Sequence, residues 1–459
     1  MVLPIAMPPT FPPDVSNLSA CTEDVRLAAL VTDSGPLHPL DYQSLITRLT
    51  ASKSSLPPLY QDAVFNPFLT TLEQLGEAGF ERLLRQDPQH VRQAGLLLDI
   101  AQTILQNGEK YLQESTDAFQ EVVSDLYDGF LSAQDRKGVK PSDLGTIPPL
   151  VKWGNPDFGP YTWTGEATKT FGVKTAIVNL PPSHATRCLF GWATLGHETA
   201  GHDILHADKG LASELSSALR QQLLQSGTTE LLAHYWANRI DETASDVMGI
   251  LNMGPAAAIG LIGYFRGLMA AYRNDPTLRN EGPEQDSHPI DILRGFLAAS
   301  TVRLLQFSKA SEWANLIEEE VMKDVSTIRI GKTIISLDDA KSTAQQTAEV
   351  IMYKKMAALE HHALGDIQNW KDCDEEIVSM LRQQLVNQLP PSVDYATGIY
   401  AAHVVAAAVT QGASQGADLT SLFTQMIQML KQMHDANPAW GPMYVTLPGN
   451  LVRHHAFLS

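Results

Sequence analysis

Apolar residues recur at helical spacing along most of the chain. From Leu59 to about Gln134 they fall at Phe65, Phe68, Leu69, Leu72 and Leu75, then along Val91 to Gln106 and Tyr111 to Ala133, which predicts amphipathic helices. Lys137 to Gly159 concentrates Gly, Pro and Asp and marks a loop or boundary. Tyr161 to Thr170 and Val173 to Leu180 are rich in Thr, Val, Ile and aromatics and predict strands, ended by Pro181-Pro182. Helical periodicity then resumes over Thr186 to Ala207, Leu211 to Gln225, Thr228 to Asn252 and Pro255 to Tyr272, the last with Pro at a favourable first position. Ile290 to Phe307 and Ser311 to Val325 continue it, and Ile328 to Leu337 predicts a small hairpin around Gly331-Lys332. Further helices are expected over Ala340 to Leu364, Asp374 to Leu389, Tyr395 to Val409 and Leu419 to Ala436. The fold class this predicts is mainly α with a small β element. Three regions follow: 1–150, helical with a Pro-rich arm; 151–335, a core of strand and helices; and 336–459, helical.

Composition narrows the function classes. With 33 Lys+Arg against 51 Asp+Glu the formal charge is −18, and no window supplies the clustered basic surface that nucleic acid requires. Met1 to Pro13 lacks a basic start and an unbroken apolar run, so it reads as an extended arm and not a signal peptide. Pro255 to Met269 and Thr397 to Ala408 are shorter than the roughly 20 residues a bilayer span needs, which predicts no membrane partner. Cys21, Cys188 and Cys373 are few, odd in number and far apart, which argues against a disulfide framework or a thiolate metal site and favours the cytoplasm.

The chemistry concentrates in LGHETAGHDILHAD, where His197, His202 and His206 fall within ten residues. A hydrolytic zinc site needs two neutral imidazoles from one rigid element, a carboxylate, an open position for water and a nearby base. Helical HExxH places its histidines at i and i+4, but His197-Glu198-Thr199-Ala200-Gly201-His202 carries one residue more. On an ideal helix i and i+5 diverge by about 140°, so convergence needs a π-bulge or loosened turn, which the small Ala200 and Gly201 permit. The third ligand is sought in Arg239 to Asp246, where Glu242 and Asp246 share a face at i, i+4: Glu242 to bind the metal, Asp246 to accept an imidazole N–H. His288, at the entrance of the next helix, is a candidate donor to a developing oxyanion, with Asp291 or Arg294 to orient it, and Tyr264 is a second candidate. Two rivals stay open: His202 with His206 at i, i+4, and Asp246 as ligand in place of Glu242.

HETAGH followed by DETASD resembles the paired signature of the dipeptidyl peptidase III family of zinc metallopeptidases, over about Gly191 to Arg294. The resemblance implies a zincin-like, gluzincin-type core with one Zn²⁺ held by His197, His202 and Glu242, Glu198 as general base, and Asp241 in the place of the family's first acid. It also implies a peptide or other amide-containing substrate, with Val173 to Leu180 as an edge strand pairing with the substrate backbone. An iron enzyme using the same two histidines and carboxylate, and a non-hydrolytic binding protein on this scaffold, are the alternatives. His361-His362 and His454-His455, adjacent pairs, are expected to be solvated, and His403 to be a hydrogen-bonded core residue.

Overall fold

The computed structural model describes residues 11–36, 39–85, 91–131, 136, 138–144, 147–387, 400–437, 439–440, 444–447 and 450–453. Most of the Pro-rich arm, the start of the helix expected from Tyr395, and His454-His455 lie outside them. The described chain is mainly helical with three small sheets. No helix among the described residues is long and apolar enough to cross a membrane.

Two hydrophobic cores share the first sheet. The smaller is built by α2 (Tyr42–Ser52), α3 (Asn66–Leu84) and α4 (Val91–Gly108), whose Leu49, Phe68, Leu97 and Ile104 pack with Leu150 and Ile177 of the sheet. The larger contains the site. There α1 (Leu18–Ala29) lies on the later helix Pro255–Arg273, and α5 (Gln113–Leu131) packs against Leu419–Asp435, so both ends of the chain close on one core.

The first sheet has the order β1 (Leu150–Trp153), β3 (Ile177–Leu180), β2 (Tyr161–Trp163), with β1 parallel and β2 antiparallel to β3. The expected edge strand is therefore the central one. Every residue of β3 is buried, its one polar side chain, Asn179, donating to the Tyr161 carbonyl, whereas the Thr- and aromatic-bearing β2 is half-buried at the edge. The strand expected to run to Thr170 stops at Trp163, because the Thr164 hydroxyl accepts from the Ala167 N–H and caps a short helical turn.

Two long helical patterns are also broken. Thr186 to Ala207 divides into α6 (Leu189–Leu195), a π-helical turn over Gly196–Gly201, and a tight turn at Ile204–His206. Thr228 to Asn252 breaks at Asn238-Arg239 into α8 (Glu230–Ala237) and α9 (Ile240–Met253), which follow α7 (Leu211–Gln225). The break puts Asp241 and Glu242 in the first turn of α9, where free backbone N–H groups favour negative charge. Next come α10 (Pro255–Arg273) and α11 (Asp291–Arg303), then α12 (Ala310–Met322). The expected hairpin forms, Arg329–Ile330 pairing antiparallel with Thr333–Ile334. His403 is buried, its Nε2 3.0 Å from Asp374 Oδ1 and its Nδ1 accepting from the Tyr400 N–H.

Candidate metal centre

The inserted residue of HETAGH is absorbed by the π-helical turn, in which the His202 N–H reaches back five residues to the His197 carbonyl at 3.4 Å. This wider turn brings the two imidazoles to one face, ring centroids 4.7 Å apart and nearly perpendicular. Gly201 is required for it. A Cβ at that position would stand 2.0 Å from the Ser245 side chain, so only hydrogen allows the turn to lie against α9.

That close approach carries Glu242 to the imidazoles. His197 Nε2 lies 3.5 Å from Glu242 Oε2 and His202 Nε2 lies 3.5 Å from Oε1. One ligand atom from each of the three falls within 4.8 Å of the others, the one such group among the described residues. Ligands at about 2.0–2.2 Å around a tetrahedral centre stand roughly 3.3 Å apart, close to the 3.5 Å between each imidazole and the Glu242 carboxylate. Glu242 Oε2 is buried without a hydrogen-bond partner, an acceptor for which a cation is the natural complement. His206, the rival ligand, instead places Nε2 2.9 Å from Asp241 Oδ1 on the cavity rim.

The remaining groups around the imidazoles are ordered by charge. His197 Nδ1 is 2.8 Å from Asp246 Oδ1; the ionised carboxylate can only accept, so Nδ1 carries the proton and Nε2 offers its lone pair to the cavity. Asp246 is held in turn by Arg294, whose Nε donates to Oδ2 at 2.8 Å and Nη2 to Oδ1 at 2.7 Å. Arg294 Nη1 also stands 3.6 Å from Glu242 Oε2, and its guanidinium lies over the Phe265 ring at 4.6 Å. Burial opposes a charge on His197, but the carboxylates of Asp246 and Glu242 outweigh it and raise its pKa to about 10, so in the metal-free chain a second proton occupies Nε2, which a cation must displace to reach that lone pair. Burial likewise opposes the Glu242 carboxylate, and His197 and Arg294 overcome it, holding its pKa far below the usual carboxylate range. A field that binds a proton this firmly also favours a divalent cation. His202, by contrast, is pushed down by burial and by His197.

Glu198 follows His197 in the same turn, buried and held from the sheet: Thr162 Oγ1 on β2 lies 2.9 Å from Glu198 Oε2 and 3.0 Å from its carbonyl oxygen. Nothing in the sequence singled out Thr162; the signal was only that a strand of threonines and aromatics precedes the histidine motif. His288 is exposed, its Nε2 3.4 Å from Glu242 Oε1. Its orienting neighbours differ from those expected. Ser287 Oγ is 3.1 Å from His288 Nδ1 and Asp286 accepts from its backbone N–H, while Asp291 is taken by Arg279 and Arg294 by Asp246. Asp291 opens α11, so its carboxylate is drawn to the Arg279 guanidinium and backbone N–H beside that helix start. Tyr264 is buried in α10 and lines the same cavity, its phenol pushed well above its ordinary pKa by desolvation.

These residues surround one cavity of about 650 Å³, bounded by β2 and its preceding loop, the π-helical turn, the start of α9, and α10. Its volume is that of a site for a small molecule or several residues of extended chain. No family model, no curated protein and no solved structure matches the chain.

Proposed function

We propose that the chain is a zinc-dependent hydrolase, a metallopeptidase built on a zincin-like core. The observation that carries this reading is the convergence of His197, His202 and Glu242 beside a buried carboxylate, Glu198, that belongs to the same turn yet is not part of the ligand group. Two imidazoles and one carboxylate make a donor set suited to Zn²⁺ with a position left open. Zinc held there would polarise a scissile carbonyl and acidify the attacking water.

The chain's own groups supply the rest. The Thr162 hydroxyl fixes Glu198 Oε2, so the carboxylate is oriented before substrate arrives and its other oxygen exchanges the proton. Glu198 takes that proton from water and returns it to the leaving nitrogen. His288, or Tyr264 on α10, donates to the carbonyl oxygen as negative charge grows on it. Arg294 and Asp246 keep the His197 lone pair facing inward. Edge strand β2 gives an extended peptide a backbone to pair with beside Glu198. The cysteines, all free, favour a reducing compartment and hence the cytoplasm.

Glu198→Gln tests the proposal. Zinc content should stay near that of the wild type while turnover of a mixed peptide library falls by about three orders of magnitude, the scale of general acid–base catalysis. Undiminished turnover would remove Glu198 from the mechanism. Iron in the purified protein with oxygen-dependent turnover would support the iron alternative.

A further inference from the structure

One wall of the cavity belongs to α10, and it is largely apolar. Leu261, Tyr264, Phe265, Leu268, Met269 and Tyr272 fall at i, i+3, i+4, i+7, i+8 and i+11, one continuous stripe that faces the cavity. The first residues of the stripe are buried beside the ligand group, whereas Leu268 and Met269 are half-buried and Tyr272 is 62% exposed. Phe158, in the loop before β2, is 70% exposed and also lines the cavity. Two large rings left in solvent at the mouth of a cleft are apolar surface that a ligand would cover.

The stripe ends at Arg273. Of the cavity's arginines, Arg294 is neutralised by Asp246, and Arg279 by Asp286 and Asp291. Arg273 is exposed and, among the described residues, its guanidinium makes no ion pair or hydrogen bond. The acids of the same cavity are already engaged: Asp241 with His206, Asp291 with Arg279, Glu198 with Thr162 and Glu242 within the ligand group. A cationic group stands unpaired at one end of an apolar slot in a protein whose formal charge is −18. Its complement is an anion joined to an apolar body.

We infer that the α10 side of the cleft takes a peptide segment with a bulky apolar side chain next to the scissile bond, followed by a carboxylate that pairs with Arg273. This rests on the peptidase reading for the identity of the ligand. From Phe265, which lies against Arg294, to Arg273 is eight helical positions, about 12 Å of rise, which an extended peptide covers in about three to four residues. The carboxylate is therefore either the free C-terminus of a short peptide or an acidic side chain three or four residues beyond the bond.

Binding can be measured without turnover in zinc-loaded Glu198→Gln protein. The probes are alanine hexapeptides, with and without one Phe at each position, each made as free acid, as amide, and as amide with one Glu, titrated by calorimetry. A Phe-containing peptide should bind at least tenfold more tightly than its all-alanine counterpart, and Leu268→Asn should erase that preference. The free acid or the Glu-containing amide should bind about fivefold more tightly than the neutral amide, the stronger of the two identifying the carboxylate's source, and Arg273→Ala should abolish the difference. Equal binding of Phe and all-alanine peptides, or preferences that survive both substitutions, would overturn the inference. If these preferences appear and the wild type cleaves none of the peptides, the peptide site stands and the hydrolase reading fails. If the wild type cleaves all of them without preference, the hydrolase reading stands and this inference fails.

Discussion

Two buried arginines show what separates a structural ion cluster from a site. Arg266 on α10 is closed by its partners: Nε donates to Asp324 at 2.7 Å, Nη1 to Glu320 Oε2 at 3.1 Å and Nη2 to the Glu320 carbonyl at 2.7 Å. Asp324 is satisfied further by the Leu278 N–H, and among the described residues no fully buried side-chain acceptor of this cluster is left without a partner. Arg294 on α11 engages Asp246 as completely, yet its cluster does not close, because Glu242 Oε2 has no hydrogen bond and the Nε2 atoms of His197 and His202 converge on the same space. The first arrangement ties α10 to α12. The second leaves lone pairs over, arranged for something the chain does not supply.

The largest effect should come from removing each guanidinium. Arg266→Leu and Arg294→Leu both strand buried carboxylates and should each cost about 3–5 kcal/mol in metal-free protein by denaturant unfolding. Zinc should recover part of the loss in Arg294→Leu, where a cation at Glu242 replaces lost positive charge, and none in Arg266→Leu. Equal recovery in both would break the distinction. In the wild type, zinc at a thousandfold excess over its dissociation constant should add about 4 kcal/mol to stability, and chelation should remove it.

His184 sharpens the contrast from the other direction. It is more deeply buried than His197, no carboxylate faces it, and desolvation, only partly offset by the Pro181 backbone, lowers its pKa to about 4. Its folded pKa lies below the unfolded value of 6.5, so between those limits the unfolded state takes the proton. Stability is therefore held above pH 6.5 and lost as pH falls toward 4, by up to about 3 kcal/mol from this group. His184→Phe should flatten that part of a stability–pH curve, and an unchanged slope would contradict the assignment. The smallest effect concerns the acceptor behind His197. Asp246→Asn should weaken zinc binding about 10- to 100-fold. Asp324→Asn should leave it unchanged by competition titration.

The helices were legible because burial imposes their periodicity, and the ligand candidates because imidazoles and carboxylates are scarce enough for their spacing to be informative. The two interruptions that make the site were legible only in part. Gly201 marked the π-helical turn, whereas the break before Ile240 had only Asn238, a weak stop signal inside an otherwise helical pattern. Strand order was not legible either: Val173 to Leu180 has the clearer strand composition because it is central, so the stronger signal pointed away from the edge. Thr162 and Arg279 act through contacts spanning 36 and 12 residues, and no short-range pattern encodes them. The apolar residues of α10 look the same in sequence whether they fill a core or face a cleft. Their partners across the cavity decide which.

The central claim is that His197, His202 and Glu242 hold a divalent metal, and elemental analysis of protein purified without added metal tests it most directly. Wild-type chain should carry about one zinc and Glu242→Gln should lose most of it at unchanged circular dichroism. Wild-type protein that takes up no zinc even on titration, or a Glu242→Gln variant that holds as much as the wild type, would contradict the account.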